Sequence, residues 1–218
     1  RDLHKPDRRQ LQMCIRDRSS RGDTDFAIAR YYLNGKLDKA FDKDGRMVID
    51  INKKNQDDEA HSVWVTSRGN TVIVGESGGD IAVVLLNRRN RFDTHFYGNG
   101  MLTTDLGSNE LGEKVVVDRS RRILVASLAN GRLNLLRYRL DGEFDVGFGV
   151  DGQVQYSLSG FGSSIAVESL SVDEDARITI QLVSAKKRWT LRYLNGGSLD
   201  DSFGSKGKKT ESLPCLLY

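Results

Sequence analysis

Residues 37–45 read LDKAFDKDG, residues 92–100 FDTHFYGNG, residues 144–152 FDVGFGVDG and residues 199–207 LDDSFGSKG. In each, an apolar residue precedes Asp, a Phe follows three after the Asp, and a Gly follows four after the Phe. Phe41, Phe96, Phe148 and Phe203 are spaced 55, 52 and 55 residues apart. Eleven residues before each Phe stands Arg30, Leu85, Arg137 or Arg192, and three of these open an Arg-Tyr pair: Arg30-Tyr31, Arg137-Tyr138 and Arg192-Tyr193. A turn signal follows at Asn34-Gly35, Arg89-Asn90, Asp141-Gly142 and Gly196-Gly197. Features that keep one register over about 180 residues define an internal repeat, and a repeat of this length decides the architecture.

Within one period every apolar segment reads as strand. Residues 47–51 (MVIDI), 61–66 (HSVWVT), 71–75 (TVIVG) and 81–86 (IAVVLL) are short, β-branched and bounded by Gly, Asn, Asp and Ser. The second copy gives 101–106, 114–117, 123–128 and 133–140, and the third gives 154–158, 165–172, 177–183 and 189–194. No window carries a sustained helical apolar stripe. Four strands in each repeat of about 50 residues are the pattern of a β-propeller blade. The fold class expected is therefore all-β, with four-stranded antiparallel blades in an open arc of about three, near 45–86, 100–140 and 152–194.

The repeated motif lies in the long connection, 33–45 in the first copy. It is expected to carry the chain from the outer strand of one blade to the inner strand of the next. Asp can accept a backbone N–H two or three residues on. Phe would point inward and fill space between blades, and Gly would supply a positive φ before the next strand. Asp38, Asp93, Asp145 and Asp200 could also ring a metal ion, but identical roles in every copy favour architecture. In this reading the strand at 25–32 leads the arc without blade partners, which leaves Arg30 and Tyr31 the more exposed copy. The strand near 207–210 trails it, and Phe203 is less buried than its equivalents.

The whole chain has 218 residues, with 38% hydrophobic and 29% charged side chains. That is a globular balance, and no apolar run reaches the ~18 residues of a membrane-spanning helix. The net charge of +3 lies entirely in residues 1–24, while the remainder carries 26 basic and 26 acidic residues. This argues against nucleic acid and membrane insertion. Residues 13–18 (MCIRDR) and 215–218 (CLLY) are similar to translated sequencing-adapter read-through, which places both Cys14 and Cys215 outside the fold. The organisation expected is thus a disordered or non-native segment 1–24, a repeat region 25–210, and a non-native or disordered tail 211–218. The parent protein would be longer, with further blades.

The pattern Arg-Tyr, Asn/Asp-Gly, Leu-Asp-x-x-Phe-Gly-x-x-Gly resembles the delta-60 repeat family over about residues 25–208. The copies at 135–152 and 191–207 match closely. The second departs from it, with Leu85-Leu86, Arg89-Asn90 and Tyr97-Gly98 at the positions of Arg-Tyr, the turn pair and the glycine. The resemblance implies a bacterial, propeller-forming repeat in a large exported or cell-surface protein, and no catalytic motif.

Other motifs are decoys of the repeat. Residues 147–152 match G-x-G-x-x-G and 75–79 match G-x-S-x-G, but strand rather than helix follows each. His4, His61 and His95 stand at no metal spacing, and Cys14 and Cys215 cannot form a local zinc pair. Asp42 and Asp44 before Gly45, and Asp173-Glu174-Asp175, are too short for an EF-hand loop and read as solvated turns. Arg119, Arg121 and Arg122 with Lys114 read as a solvated basic face, because no aromatic residue is interleaved. No catalytic, cofactor-binding or metal-binding residue is assigned. The function expected is a non-enzymatic structural or binding module with a protein or glycan partner. The alternatives are part of a propeller-type lyase or glycosidase, or a cytoplasmic interaction scaffold.

Overall fold

The structure, a computed structural model, describes the backbone of residues 9–18 and the whole of residues 24–51 and 56–213. Among the described residues there are fifteen strands and no helix. The first sheet holds β1 (Arg9–Arg18), β2 (Thr24–Tyr32) and β3 (Arg46–Ile49), in that order. The second holds β4 (Asp58–Val65), β5 (Thr71–Ser77), β6 (Asp80–Leu86) and β7 (Met101–Thr104). The third holds β8 (Leu111–Val117), β9 (Ile123–Ala129), β10 (Arg132–Tyr138) and β11 (Gln153–Ser157). The fourth holds β12 (Ala166–Val172), β13 (Ile178–Val183), β14 (Lys187–Tyr193) and β15 (Lys208–Ser212). Every pairing between named strands is antiparallel, and strands pair in sequence order, which is the meander of a propeller blade.

Each sheet packs on the next. β1 and β2 lie against β4, β4 to β6 against β8, and β8 and β9 against β12. No extended packing joins the first sheet to the last among the described residues. The first strands of successive sheets approach one another, so they form the inner edge of the arc. Strand periodicity builds the core between sheets. In β6, Ile81, Val83 and Leu85 face the third sheet while Ala82, Val84 and Leu86 face the first. A strand segment buried on both faces must be apolar, and residues 72–75 of β5 and 81–86 of β6 are. In the fourth sheet Ile178, Ile180, Leu182, Trp189 and Leu191 face the third sheet, whereas the alternate residues Thr179, Gln181, Thr190 and Arg192 are only partly covered.

The phase of the blades differs from the sequence reading. The sheets run 58–104, 111–157 and 166–212, not 45–86, 100–140 and 152–194. The motif connection is not a crossing between blades. It folds back and joins the last two strands of one sheet, the third and fourth of each four-stranded sheet and β2 and β3 of the first. Four backbone hydrogen bonds hold it there in every copy. In the third, Asp145 N–H donates to Arg137 O at 2.8 Å, Phe148 N–H to Asp145 O at 2.9 Å, Gly152 N–H to Phe148 O at 2.9 Å, and Arg137 N–H to Gly152 O at 2.9 Å. The same circuit closes around Asp38, Asp93 and Asp200. The true crossings are the shorter links before β4, β8 and β12. Consequently the strand at Lys208–Ser212 completes the fourth sheet rather than trailing beyond it, and β2 has partners on both sides. Residues 9–18, expected outside the fold, form β1 and pair with β2 from Arg9↔Tyr32 to Arg18↔Thr24. A strand with no apolar period can still pair, because the ladder is made by backbone groups. Cys14 lies in β1, and Cys215 lies outside the described residues.

The motif residues do what their chemistry suggests. Each Asp accepts the N–H two residues on: Ala40 on Asp38 at 3.1 Å, His95 on Asp93 at 3.2 Å, Gly147 on Asp145 at 3.3 Å and Ser202 on Asp200 at 3.0 Å. Each of three also holds the arginine of its own repeat through Nε: Arg30–Asp38 at 2.7 Å, Arg137–Asp145 at 2.8 Å and Arg192–Asp200 at 2.7 Å. The four aspartates therefore bond within their own repeats and do not converge on an ion. The guanidinium lies over the motif phenylalanine, 4.8 Å from the Phe41 centroid, 4.4 Å from Phe148 and 4.4 Å from Phe203. Gly45, Gly100, Gly152 and Gly207 have φ of 96°, 86°, 89° and 82°, and a Cβ on Gly152 would strike Phe144 at 2.6 Å. Phe41, Phe96 and Phe148 are fully buried between consecutive sheets, while Phe203 is half-buried because no further sheet covers it. Arg30, expected to be the more exposed copy, is buried like Arg137, since the second sheet covers it; Arg192 is the more open one. Tyr31 is more exposed than the buried Tyr138 and Tyr193.

Truncating a buried phenylalanine leaves a cavity, so Phe148→Ala is expected to cost about 3–5 kcal/mol. Phe203→Ala should cost clearly less. Urea unfolding of the two variants measures the difference; equal losses would mean that the loop, not the seam between sheets, is what the ring supports.

Candidate functional site

Antiparallel order places the connections alternately on the two faces of the arc. The first-to-second strand turns and the motif loops share one face. The second-to-third strand turns and the crossings share the other.

On the motif face, consecutive loops are stitched together. Arg30 Nη1 donates to Asn90 Oδ1 in the next turn at 2.8 Å, and Arg137 Nη1 donates to Asn195 O at 2.6 Å. Backbone bonds reinforce the contact: Tyr97 N–H to Asp141 O at 2.9 Å and Gly149 N–H to Gly196 O at 2.8 Å. The approach is close enough that a Cβ on Gly142 would lie 3.0 Å from Tyr97 Cβ, and one on Gly197 2.9 Å from Gly149 N. The turn glycines are thus required by the neighbouring repeat as well as by their own φ of 90° and 92°.

The second repeat lacks the stitching arginine. Leu85 stands in its place, buried, and there the boundary between the second and third sheets opens into a cleft of about 790 Å³. Trp64, Val72, Leu85 and Leu140 supply its apolar wall, and Arg68, Arg88, Arg119 and Arg121 its polar rim. Trp64 is partly exposed at 37%. Arg119 reaches Glu174 and Asp118 holds Arg122 at 2.6 Å, while Arg68, Arg88 and Arg121 form no ion pair among the described residues. The sequence reading treated Arg119 and Arg121 as a solvated face without an aromatic neighbour. The fold supplies one, because Trp64, near the end of the first strand of the preceding sheet, lines the same cleft as they do. Arg122 turns away to Asp118, Asp145 and Asn195, and Lys114 lies in β8.

The remaining sequence candidates occupy structural positions. His95 is exposed and lies 3.1 Å from Asp93, and His61 sits beside Glu59 at 3.9 Å with its pKa lowered, chiefly by burial. Asp173 and Asp175 are both paired with Arg177 at 2.8 Å. Residues 147–152 form the third motif loop, and Gly75 presses on Glu59 so closely that a Cβ would lie 1.9 Å from its carbonyl oxygen. His4 lies outside the described residues. Two groups of carboxylates come together that the sequence reading did not select: Asp25, Asp50 and Asp58, and Asp80, Asp105 and Glu110.

No protein-family model and no curated protein matches the chain. Among solved structures it is similar to a catalytically inactive virginiamycin B lyase from Staphylococcus aureus with quinupristin, at 11% identity and a TM-score of 0.47, over 86% of this chain and 54% of that one. It is also similar to an engineered GH43 glycoside hydrolase, at 9% identity and a TM-score of 0.42, over 88% and 37%. A streptogramin B lyase follows at 11% identity and a TM-score of 0.35, over 91% and 78%. The chain spans about half the length of the first of these.

One ionisable group ties the inner edge together. Glu113, in β8, accepts the Val167 N–H of the next sheet at 2.8 Å. Burial raises its pKa, against the opposing pull of that bond and of Lys114. An acid whose folded pKa is raised costs stability as pH rises through the range between its unfolded and folded values. Glu113→Gln is therefore expected to melt above the parent at neutral pH, with the difference vanishing below the ordinary glutamate range. Thermal melts across pH check this; a difference independent of pH would contradict it.

Proposed function

We propose that the chain is a non-enzymatic binding module, part of a larger exported bacterial β-propeller protein of the delta-60 repeat type, and that its ligand is an acidic glycan. The observation that carries this reading is the cleft at Leu85. It is a concave site of ordinary ligand size with a mixed polar and apolar lining, edged by three arginines that form no ion pair among the described residues and by one partly exposed indole. An indole face packs against a sugar ring, and guanidinium groups recognise carboxylate or sulfate in a planar, bidentate manner. The same cleft is poorly suited to glycoside hydrolysis, which calls for two carboxyl groups flanking the bond. Its lining has one, Asp118, already engaged by Arg122.

The test uses an oligogalacturonate, with a neutral cello-oligosaccharide as control. Trp189 is buried, so quenching of the exposed Trp64 reports binding. Binding of the acidic sugar only, weakening with salt, is expected. Read by calorimetry, which does not need the indole as reporter, Trp64→Ala and Arg88→Gln with Arg121→Gln should each weaken it at least about tenfold, the loss of roughly one good contact. Equal binding of both sugars, or of neither, would overturn the reading, and cleavage of the acidic sugar would replace it with an enzymatic one.

A further inference from the structure

On the opposite face, at the end of the second sheet, Asp80, Asp105 and Glu110 bring one carboxylate oxygen each within 4.8 Å of the others. Asp80 opens β6, Asp105 follows β7, and Glu110 ends the crossing to β8. Glu110 is fully buried. Its Oε1 accepts from Ser108 N–H at 2.7 Å and Ser108 Oγ at 2.5 Å, while its Oε2 is buried with no partner among the described residues. A buried carboxylate oxygen without a donor carries a large desolvation cost. The surroundings add to it. The carboxylates of Asp80 and Asp105 crowd Glu110.

The repeats themselves supply an internal comparison. Asp80 stands five residues before Leu85, as Asp25 does before Arg30 and Arg132 before Arg137. Asp105 stands five after Gly100, as Asp50 does after Gly45 and Ser157 after Gly152. Glu110 stands two before the strand irregularity at Gly112, as Asp58 does before Ala60 and Ile165 before Val167. The first two repeats thus carry three carboxylates at three equivalent positions, and the first-repeat set also converges to within 4.8 Å. The third repeat replaces all three together, with Arg132, Ser157 and Ile165. Carboxylates that merely decorated a surface would not change as a set. In the third repeat a tethered guanidinium stands at the position of the first acid, as expected where a cation is dispensed with.

We infer that Asp80, Asp105 and Glu110 form a binding site for a hard divalent cation, calcium. The donor set is all oxygen, without His or Cys. Calcium–oxygen bonds of about 2.3–2.6 Å put opposite ligands roughly 5 Å apart, a span the cluster fits. Magnesium requires a tighter octahedron. The cation would neutralise Glu110 Oε2 and tie the second-to-third strand turn of one sheet to the crossing that leads into the next.

Calcium titration of the full chain by calorimetry, with thermal melts in calcium, magnesium or EGTA, tests this. Calcium should bind and raise the melting temperature more than magnesium does. Asp80→Asn and Glu110→Gln should each lose one equivalent of bound calcium. Asp105→Asn, at an exposed position where folding is not at risk, should weaken binding at that site. In EGTA, Asp80→Asn should melt at or above the parent, because a repulsive charge is gone; in calcium the order should reverse. Calcium binding unchanged in all three variants, no binding of calcium alone, or an order of melting that does not invert would overturn the inference.

Discussion

The arginine of the repeat holds three things at once. Its Nε meets the motif aspartate, its plane covers the motif phenylalanine, and in two copies its Nη1 reaches the turn of the following repeat. The magnitudes say which of these contacts matter. An exposed ion pair such as Arg177–Asp173 is worth about 0–1 kcal/mol. Breaking a buried pair by removing one partner costs about 3–5 kcal/mol, because the other charge is left stranded. Arg30 and Asp38 are both buried, so the loop cannot leave without exposing that cost. The loop in turn places Phe41 between the first and second sheets and Phe148 between the third and fourth. The contact between blades therefore depends on a polar constellation at their rim as much as on the apolar strands within.

The copy that breaks the rule is the informative one. At Leu85 the guanidinium is missing, Asp93 takes His95 instead, and the boundary between sheets opens beside Trp64. The seam is still held by Phe96 and by the Tyr97–Asp141 backbone bond, so the opening is confined to the rim. Loss of one structural arginine creates a concave surface edged by others. The unit that departs from the consensus thus carries the cleft, and the regular units fix its walls.

The strands were legible in the sequence because alternation and β-branching leave little else for segments such as TVIVG and IAVVLL to become. The roles of Asp, Phe and Gly in the motif were legible because each follows from local chemistry. The phase of the blades was not. A connection of a dozen residues looks like a crossing between sheets, and only the bonds from Arg30 N–H to Gly45 O and from Asp38 N–H to Arg30 O reveal that it returns to its own sheet. Trp64 and Arg121 line one cleft through the adjacency of two sheets, which no local pattern encodes. The carboxylates at 80, 105 and 110 were closer to hand. Their positions relative to the repeat register match Asp25, Asp50 and Asp58, a signal visible once the register is carried beyond the motif itself.

Native-state hydrogen exchange tests the central claim, that the motif loops are structural seams between sheets. Loops of this length ordinarily exchange through local opening, well below the free energy of global unfolding. Here the amides of Phe41, Phe96 and Phe148 are predicted to exchange as slowly as those of the central strands β5 and β9, while Phe203, with no sheet beyond it, exchanges first. Exchange of Phe96 and Phe148 at the rate of the exposed turn residues Ser67 and Arg68 would contradict the account.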